Sequence, residues 1–183
     1  MIGQAFAAVL ASAKAGDHSA LEVVYRDLAP PVLGYLRAQG AREPEDVASE
    51  VFVALVRGLV RFKGDERDLR SWVFTIAHRR LVDERRRNSR RLETPADPET
   101  LRLLGPAGDV EGEAMALLNG RTFLDAVRRL TPDQRSVVLL RMVADLPVAD
   151  VARVLGRSQG AVKTLQRRAL ARLAADLLGE AVS

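Results

Sequence analysis

The sequence predicts an all-α protein: two small helical domains joined by a flexible linker, the second a four-helix domain with a helix-turn-helix. Three observations carry this. Apolar residues recur at spacings of three and four along most of the chain, the period of a helix face. Runs of β-branched residues and Asn-Gly turns are scarce. One stretch, residues 92–119, breaks the pattern with Pro95, Pro98 and Pro106 among Gly105, Gly108 and Gly112. Of 183 residues, 48% are hydrophobic, enough for real cores, and 4% are aromatic, so Ala, Val and Leu do the packing.

The opening MIGQAFAAVLASAKAG reads as an amphipathic first helix. Its Ala-Ser-Ala imitates a cleavage site, but no basic residues precede the apolar part as a secretory signal requires. Asp17 is a cap for the next helix, whose stripe is Leu21, Val24, Tyr25, Leu28, Val32, Tyr35 and Leu36. Pro30-Pro31 is expected to bend or restart it, and Gly40 ends it. Pro44 opens a helix to about residue 60, with Glu45 and Asp46 at the positive end of its dipole. That helix is expected to bury Val47, Val51, Ala54, Leu55 and Val56. Gly64-Asp65 marks a loop, and a helix over about 68–87 buries Val73, Phe74, Ala77 and Leu81.

The first domain is thus assigned to 1–91, the linker to 92–119 with one helical turn at 98–104, and the second domain to 120–183. Helices are expected there at about 121–130, 132–144, 148–155 and 158–177, with Pro132 and Pro147 marking two starts.

Net charge is only +4, but its distribution is uneven. Residues 1–50 are acidic in balance. Between 78 and 91, Arg79, Arg80, Arg85, Arg86, Arg87, Arg90 and Arg91 face only Asp83 and Glu84. Between 157 and 172 no acid offsets Arg157, Lys163, Arg167, Arg168 and Arg172. Two separated basic patches point to two contacts with a polyanion. The chain has no cysteine, which excludes disulfide and thiolate chemistry. No apolar run is long enough to span a membrane, so none is expected to insert.

Residues 147–173 fit a helix-turn-helix. Val151, Ala152 and Leu155 form one buried face, Gly156 sits where a left-handed turn is needed, and Ser158 caps the next helix. Val162, Leu165 and Ala169 point back toward the first helix. The outward face is Gln159, Lys163, Gln166 and Arg167, with Gly160, Thr164 and Arg168 alongside. Gln, Lys and Arg are side chains that bond base edges in a major groove, and Gly160 permits close approach to a phosphate.

In the first domain, Thr75, Arg79 and Arg86 share a helix edge, and the only tryptophan, Trp72, falls between that edge and the core face. An aromatic ring beside arginines is how single-stranded nucleic acid is gripped.

These segments, from AKAGDHSALEVVYRDL through PEDVASEVFVALV and SWVFTIAHRRLVDERRR to LTPDQRSVVLLR and VARVLGRSQGAVKTLQRRALARL, resemble an extracytoplasmic-function (ECF) sigma factor of the bacterial sigma-70 family over nearly the whole length. The resemblance implies a cytoplasmic promoter-specificity subunit with no cofactor, whose partners are core RNA polymerase and promoter DNA. The first domain would read and help melt the −10 element through Trp72, Thr75, Arg79, Arg80, Asp83, Arg86 and Arg87. The second would read the −35 element through Ser158, Gln159, Gly160, Lys163, Thr164, Gln166, Arg167 and Arg168. The segment Asp46–Phe52 resembles the helix that docks on a coiled coil of the largest polymerase subunit, with Asp46, Glu50, Val53 and Arg57 on one exposed row. Family members are often held inactive by an anti-sigma factor, which becomes an expected partner. With the sequence ending at Ser183, sensing is expected to lie in another protein. Ser49, Arg79, Ala161 and Leu165 depart from the family's usual glutamine, asparagine, threonine and arginine, which bears on base preference and leaves the fold intact.

An autonomous helix-turn-helix regulator binding duplex DNA as a dimer would explain residues 147–173, but not the Trp72–Arg91 surface. A purely protein-binding helical regulator would leave both basic patches unexplained. An enzyme is not expected: the histidines, His18 and His78, are far apart and read as surface residues, and no metal-ligand cluster, phosphate loop or nucleophile motif is present.

Overall fold

The computed structural model describes residues 1–91 and 123–180. The linker assigned to 92–119, with its turn at 98–104, lies outside the described residues. Among the described residues the secondary structure is helical and no strand occurs. A 3-10 turn at Gly3–Ala5 leads into α1 (Phe6–Lys14), followed by α2 (His18–Ala38), α3 (Pro44–Leu59) and α4 (Glu66–Arg91). The second module holds helical residues 123–128 (α5), then α6 (Pro132–Met142), α7 (Val148–Leu155) and α8 (Gln159–Glu180).

Local chemistry sets the boundaries. The Asp17 carboxylate accepts the Ser19 N–H at 2.9 Å and caps α2. Asp65 and Asp68 cap α4 reciprocally: Asp68 N–H donates to Asp65 at 2.8 Å, and Asp65 N–H to Asp68 at 3.2 Å. Thr131 and Gln134 form a capping box at α6. Helix α2 runs through Pro30-Pro31 without a break. Each proline removes an N–H, yet Leu28 and Ala29 before the pair and Val32, Tyr35 and Leu36 after it are buried in the same core. Packing on both sides holds the halves in one helix.

The first module's core joins Leu28, Val32 and Leu36 of α2 to Val47, Val51 and Leu55 of α3 and Val73, Phe74, Ala77 and Leu81 of α4. Val56, expected in this core, is half exposed. It follows Leu55 by one residue, so the helical turn of about 100° per residue carries it to the edge of the stripe. The second module packs Val137, Leu140 and Leu146 against Val151, Val162 and Ala169.

The two modules meet through α6 against α2 and α7 against α4. Gln39 and Ser136 are buried at this junction, 1% and 3% exposed, and Gln39 Nε2 donates to Ser136 Oγ at 2.8 Å. Arg85 of α4 donates to the Gln39 backbone carbonyl at 2.5 Å and to its Oε1 at 3.1 Å. At the other end, Arg67 lies 3.9 Å from Asp150, and Arg153 lies 4.0 Å from Asp68.

Candidate nucleic-acid interface

The turn between α7 and α8 has the geometry its sequence demands. Gly156 sits at φ 62° and ψ 36°, the left-handed region that costs other residues about 1–2 kcal/mol. Ser158 Oγ accepts the Ala161 N–H at 3.2 Å and caps α8. Val151, Val162 and Ala169 are fully buried and clamp α8 against α7, with half-buried Leu165 packed on the same core. Ser158, Gln159, Gly160, Lys163, Arg167 and Arg168 are exposed along the opposite face. Thr164 and Gln166 are half-buried, and the Thr164 hydroxyl donates to the Gly160 carbonyl at 3.0 Å. Arg157 is turned to Asp133 at 2.5 Å.

On α4, Arg79, Asp83, Arg86 and Arg87 are exposed. Thr75 is half-buried, and its hydroxyl donates to the Ser71 carbonyl at 2.8 Å. Trp72 is half-buried, with its ring stacked on Phe62 at 5.5 Å between centroids and 12° between planes. Its far edge lies over Gly58, where a Cβ would stand 2.6 Å from the ring. One face and one edge of the indole are therefore used inside the fold.

Asp46, Glu50, Val53 and Arg57 are all exposed on α3. The structure brings three of them, Glu50, Val53 and Arg57, into one groove of about 680 Å³ with Arg80 and Arg87 of α4. Glu50 pairs there with Arg80 at 3.3 Å. The polymerase-facing row and part of the DNA-facing edge, read from the sequence as separate surfaces, thus share a border.

Sequence reasoning missed several groups. His78, read as a surface residue, is drawn inward: its Nδ1 lies 2.9 Å from the Tyr35 hydroxyl. Burial holds its pKa below the ordinary histidine value; nearby Arg85 adds to this and Asp133 opposes it. Burial also pushes the Tyr35 phenol up, against hydrogen bonds from Ser136 and Gln39. The signal was present in the register. Gln39 continues the buried stripe Leu28, Val32, Tyr35, and a polar residue on an apolar stripe calls for a buried partner. Tyr25 and Phe52, with ring centroids 4.6 Å apart, line a second, apolar groove with Leu21 and Val56.

An acidic helical row beside a basic helix edge, followed by a helix-turn-helix with a basic outer face, defines a DNA-binding regulator with a protein-docking surface. Family comparison places it further. Residues 24–91 match the model of sigma-70 region 2, and residues 121–173 that of sigma-70 region 4. The chain belongs to the ECF RNA polymerase sigma factors of the sigma-70 family, whose members are DNA-binding regulatory subunits. It is 36% identical over 164 residues to the ECF sigma factor BldN of Streptomyces coelicolor, covering 88% of this chain and 62% of that protein, so it spans less than two thirds of that relative. It is 30% identical over 188 residues to the ECF sigma factor SigD of Mycobacterium tuberculosis, covering 97% of this chain and 86% of that one. The fold is also that of the sigma factor RpoE solved with the anti-sigma factor NepR from Bartonella quintana, at a TM-score of 0.67 and 20% identity over 85% of this chain and 95% of that one. Among the described residues, no helix is long and apolar enough to cross a membrane.

Proposed function

We propose that this chain is a cytoplasmic promoter-specificity subunit that binds core RNA polymerase, recognises the −35 and −10 elements and assists melting. Residues 1–91 act as the −10 and polymerase-binding module, and residues 120–183 as the −35 module, with 92–119 joining them. The observation that carries the reading is the pairing, in one chain, of two exposed basic helix faces on separate modules. Lys163, Arg167 and Arg168 of α8 suit a duplex major groove. Arg79, Arg86 and Arg87 of α4 suit the backbone of an opened strand. Asp46, Glu50, Val53 and Arg57 offer the polymerase a mixed charged and apolar row. The chain needs no catalytic group of its own, since the chemistry belongs to the polymerase. An anti-sigma factor is a further partner, by analogy with the NepR complex of RpoE.

The test is gel filtration with core RNA polymerase, followed by run-off transcription on a genomic promoter library. Co-elution with new promoter-specific transcripts is expected. Tight duplex binding by the chain alone, without co-elution, would favour an autonomous dimeric regulator.

A further inference from the structure

The junction between the modules is built of buried polar groups, and one of them, the side-chain N–H of Gln39, finds its partner only across the junction. Gln39 gives its amide N–H to Ser136 of α6 and takes Arg85 of α4 on its two carbonyl oxygens. The Tyr35 hydroxyl meets His78 beside them. Ser136 in turn donates to the Pro132 carbonyl at 2.9 Å. Gln39 is thus held by three hydrogen bonds, two from Arg85 of its own module and one to Ser136 of the other. A buried amide with this many partners fixes one docking geometry, because any shift strands a donor or acceptor. Such a polar junction is also reversible, since water replaces the same hydrogen bonds once it opens.

We infer that the face of the first module formed by Tyr35, Gln39, His78 and Arg85 is a docking surface for this chain's own second module, latched by Gln39, and that the latched form cannot serve a whole promoter. The occupant is fixed by the hydrogen bond from Gln39 to Ser136 and by the Asp68–Arg153 and Arg67–Asp150 approaches at the far end. The obstacle is reach rather than masking. In the docked form Gln159, Lys163, Arg167 and Arg168 stay exposed on α8, and so do Arg79 and Arg87 on α4. A chain of this length packed as one body has a radius of gyration of about 16 Å. Elements named for positions −35 and −10 lie roughly 25 base pairs, or about 85 Å, apart on a duplex rising about 3.4 Å per base pair. The latched chain reaches one element or the other. The consequence for transcription rests on the promoter reading above; the latch itself does not.

The chain's lack of cysteine makes the test clean. A Cβ placed on Gly34 of α2 would stand 3.8 Å from Val143 Cγ1 just beyond α6, with nothing else within 4 Å. A cysteine at 143 can place its sulfur where Val143 Cγ1 now stands, so side chains at the two positions face each other within reach of a cross-link. In the Gly34→Cys/Val143→Cys protein, diamide is expected to close an intramolecular disulfide in most molecules, at a rate independent of protein concentration. Adding Gln39→Leu is expected to slow that closure at least fivefold. Failure of the disulfide to form in a protein with native circular dichroism overturns the docking, and closure unaffected by Gln39→Leu overturns the latch.

The oxidised protein is expected to keep its binding to a short −35 duplex while its run-off transcription with core polymerase falls at least tenfold. Dithiothreitol should restore transcription. Equal transcription by oxidised and reduced protein overturns the inhibitory role. If the wild-type chain supports no transcription, the promoter reading fails, and the disulfide yield still decides the docking.

Discussion

The Tyr35 hydroxyl and the His78 ring nitrogen Nδ1 lie 2.9 Å apart, joining α2 to α4 beneath the second module. Burial and the charge on Arg85 both resist protonation of this histidine, while Asp133 favours it, so the folded chain holds a proton there less tightly than the unfolded chain. Between the depressed folded pKa and the unfolded value near 6.5, the unfolded state therefore binds more protons. The neutral ring's contribution is complete above about pH 6.5 and is lost as pH falls through the folded pKa. Urea midpoints measured at pH 7.5 and 5.5 should show a loss of stability in acid. His78→Gln should shrink that loss.

Gly58 gives the indole of Trp72 its place. A Cβ there would stand 2.6 Å from one ring carbon and 2.7 Å from the next, and one face of the ring is already closed by Phe62. Gly58→Ala should therefore push the ring outward and cost about 1–3 kcal/mol, in line with overpacking elsewhere. Because Trp72 is the chain's only tryptophan, its emission should shift to the red in the variant, and a denaturant melt should report the loss.

Periodicity made the helices legible, because stripes such as Val73, Phe74, Ala77 and Leu81 depend only on local register. The turn at Gly156 and the cap at Ser158 were legible for the same reason: each is settled within a few residues. What lay hidden was non-local. Nothing near Gln39 in sequence says that its partners are Ser136, 97 residues away, and Arg85, and together they explain why an amide is tolerated at 1% exposure. Trp72 is a middle case. Its register placed it between core and edge, but Phe62 reaches its ring from the turn before α4, which no wheel of α4 contains. Glu50 was read on the exposed row of α3 and Arg80 among the basic residues of α4, and only the packing of α3 against α4 pairs them.

Lys163 and Arg167 project from the exposed face of α8 and have no packing role. Replacing either with alanine should leave thermal stability within about 0.5 kcal/mol. Each change should weaken binding to a −35 duplex by about 1–3 kcal/mol if the side chain reads a base edge. A residue that meets only phosphate should instead weaken all sequences alike and lower the salt slope by about one. Fluorescence anisotropy on a duplex series, repeated at two or more salt concentrations, separates the two roles. Full affinity in both variants would remove this face of α8 from the interface.

Asp46 and Glu50 stand one helical turn apart on α3, Asp46 in its first turn and Glu50 beside Arg80. Glu50 and Arg80 are 46% and 42% exposed, so their ion pair contributes about 0–1 kcal/mol to folding. Asp46 adds about 0.3–1 kcal/mol through the helix dipole. The Asp46→Ala/Glu50→Ala protein should therefore stay folded, with unchanged helical circular dichroism and a modest fall in melting temperature. Its affinity for core polymerase should fall roughly tenfold, mainly through slower association, and the difference from wild type should narrow as salt rises. Surface plasmon resonance against immobilised core enzyme at two ionic strengths checks all three expectations. The same variant releases Arg80 from its carboxylate, so its binding to single-stranded DNA in the absence of polymerase should hold or rise. A fall in both affinities would mean that the groove shared by Glu50, Arg57, Arg80 and Arg87 binds as one unit, and that the two surfaces are not separable.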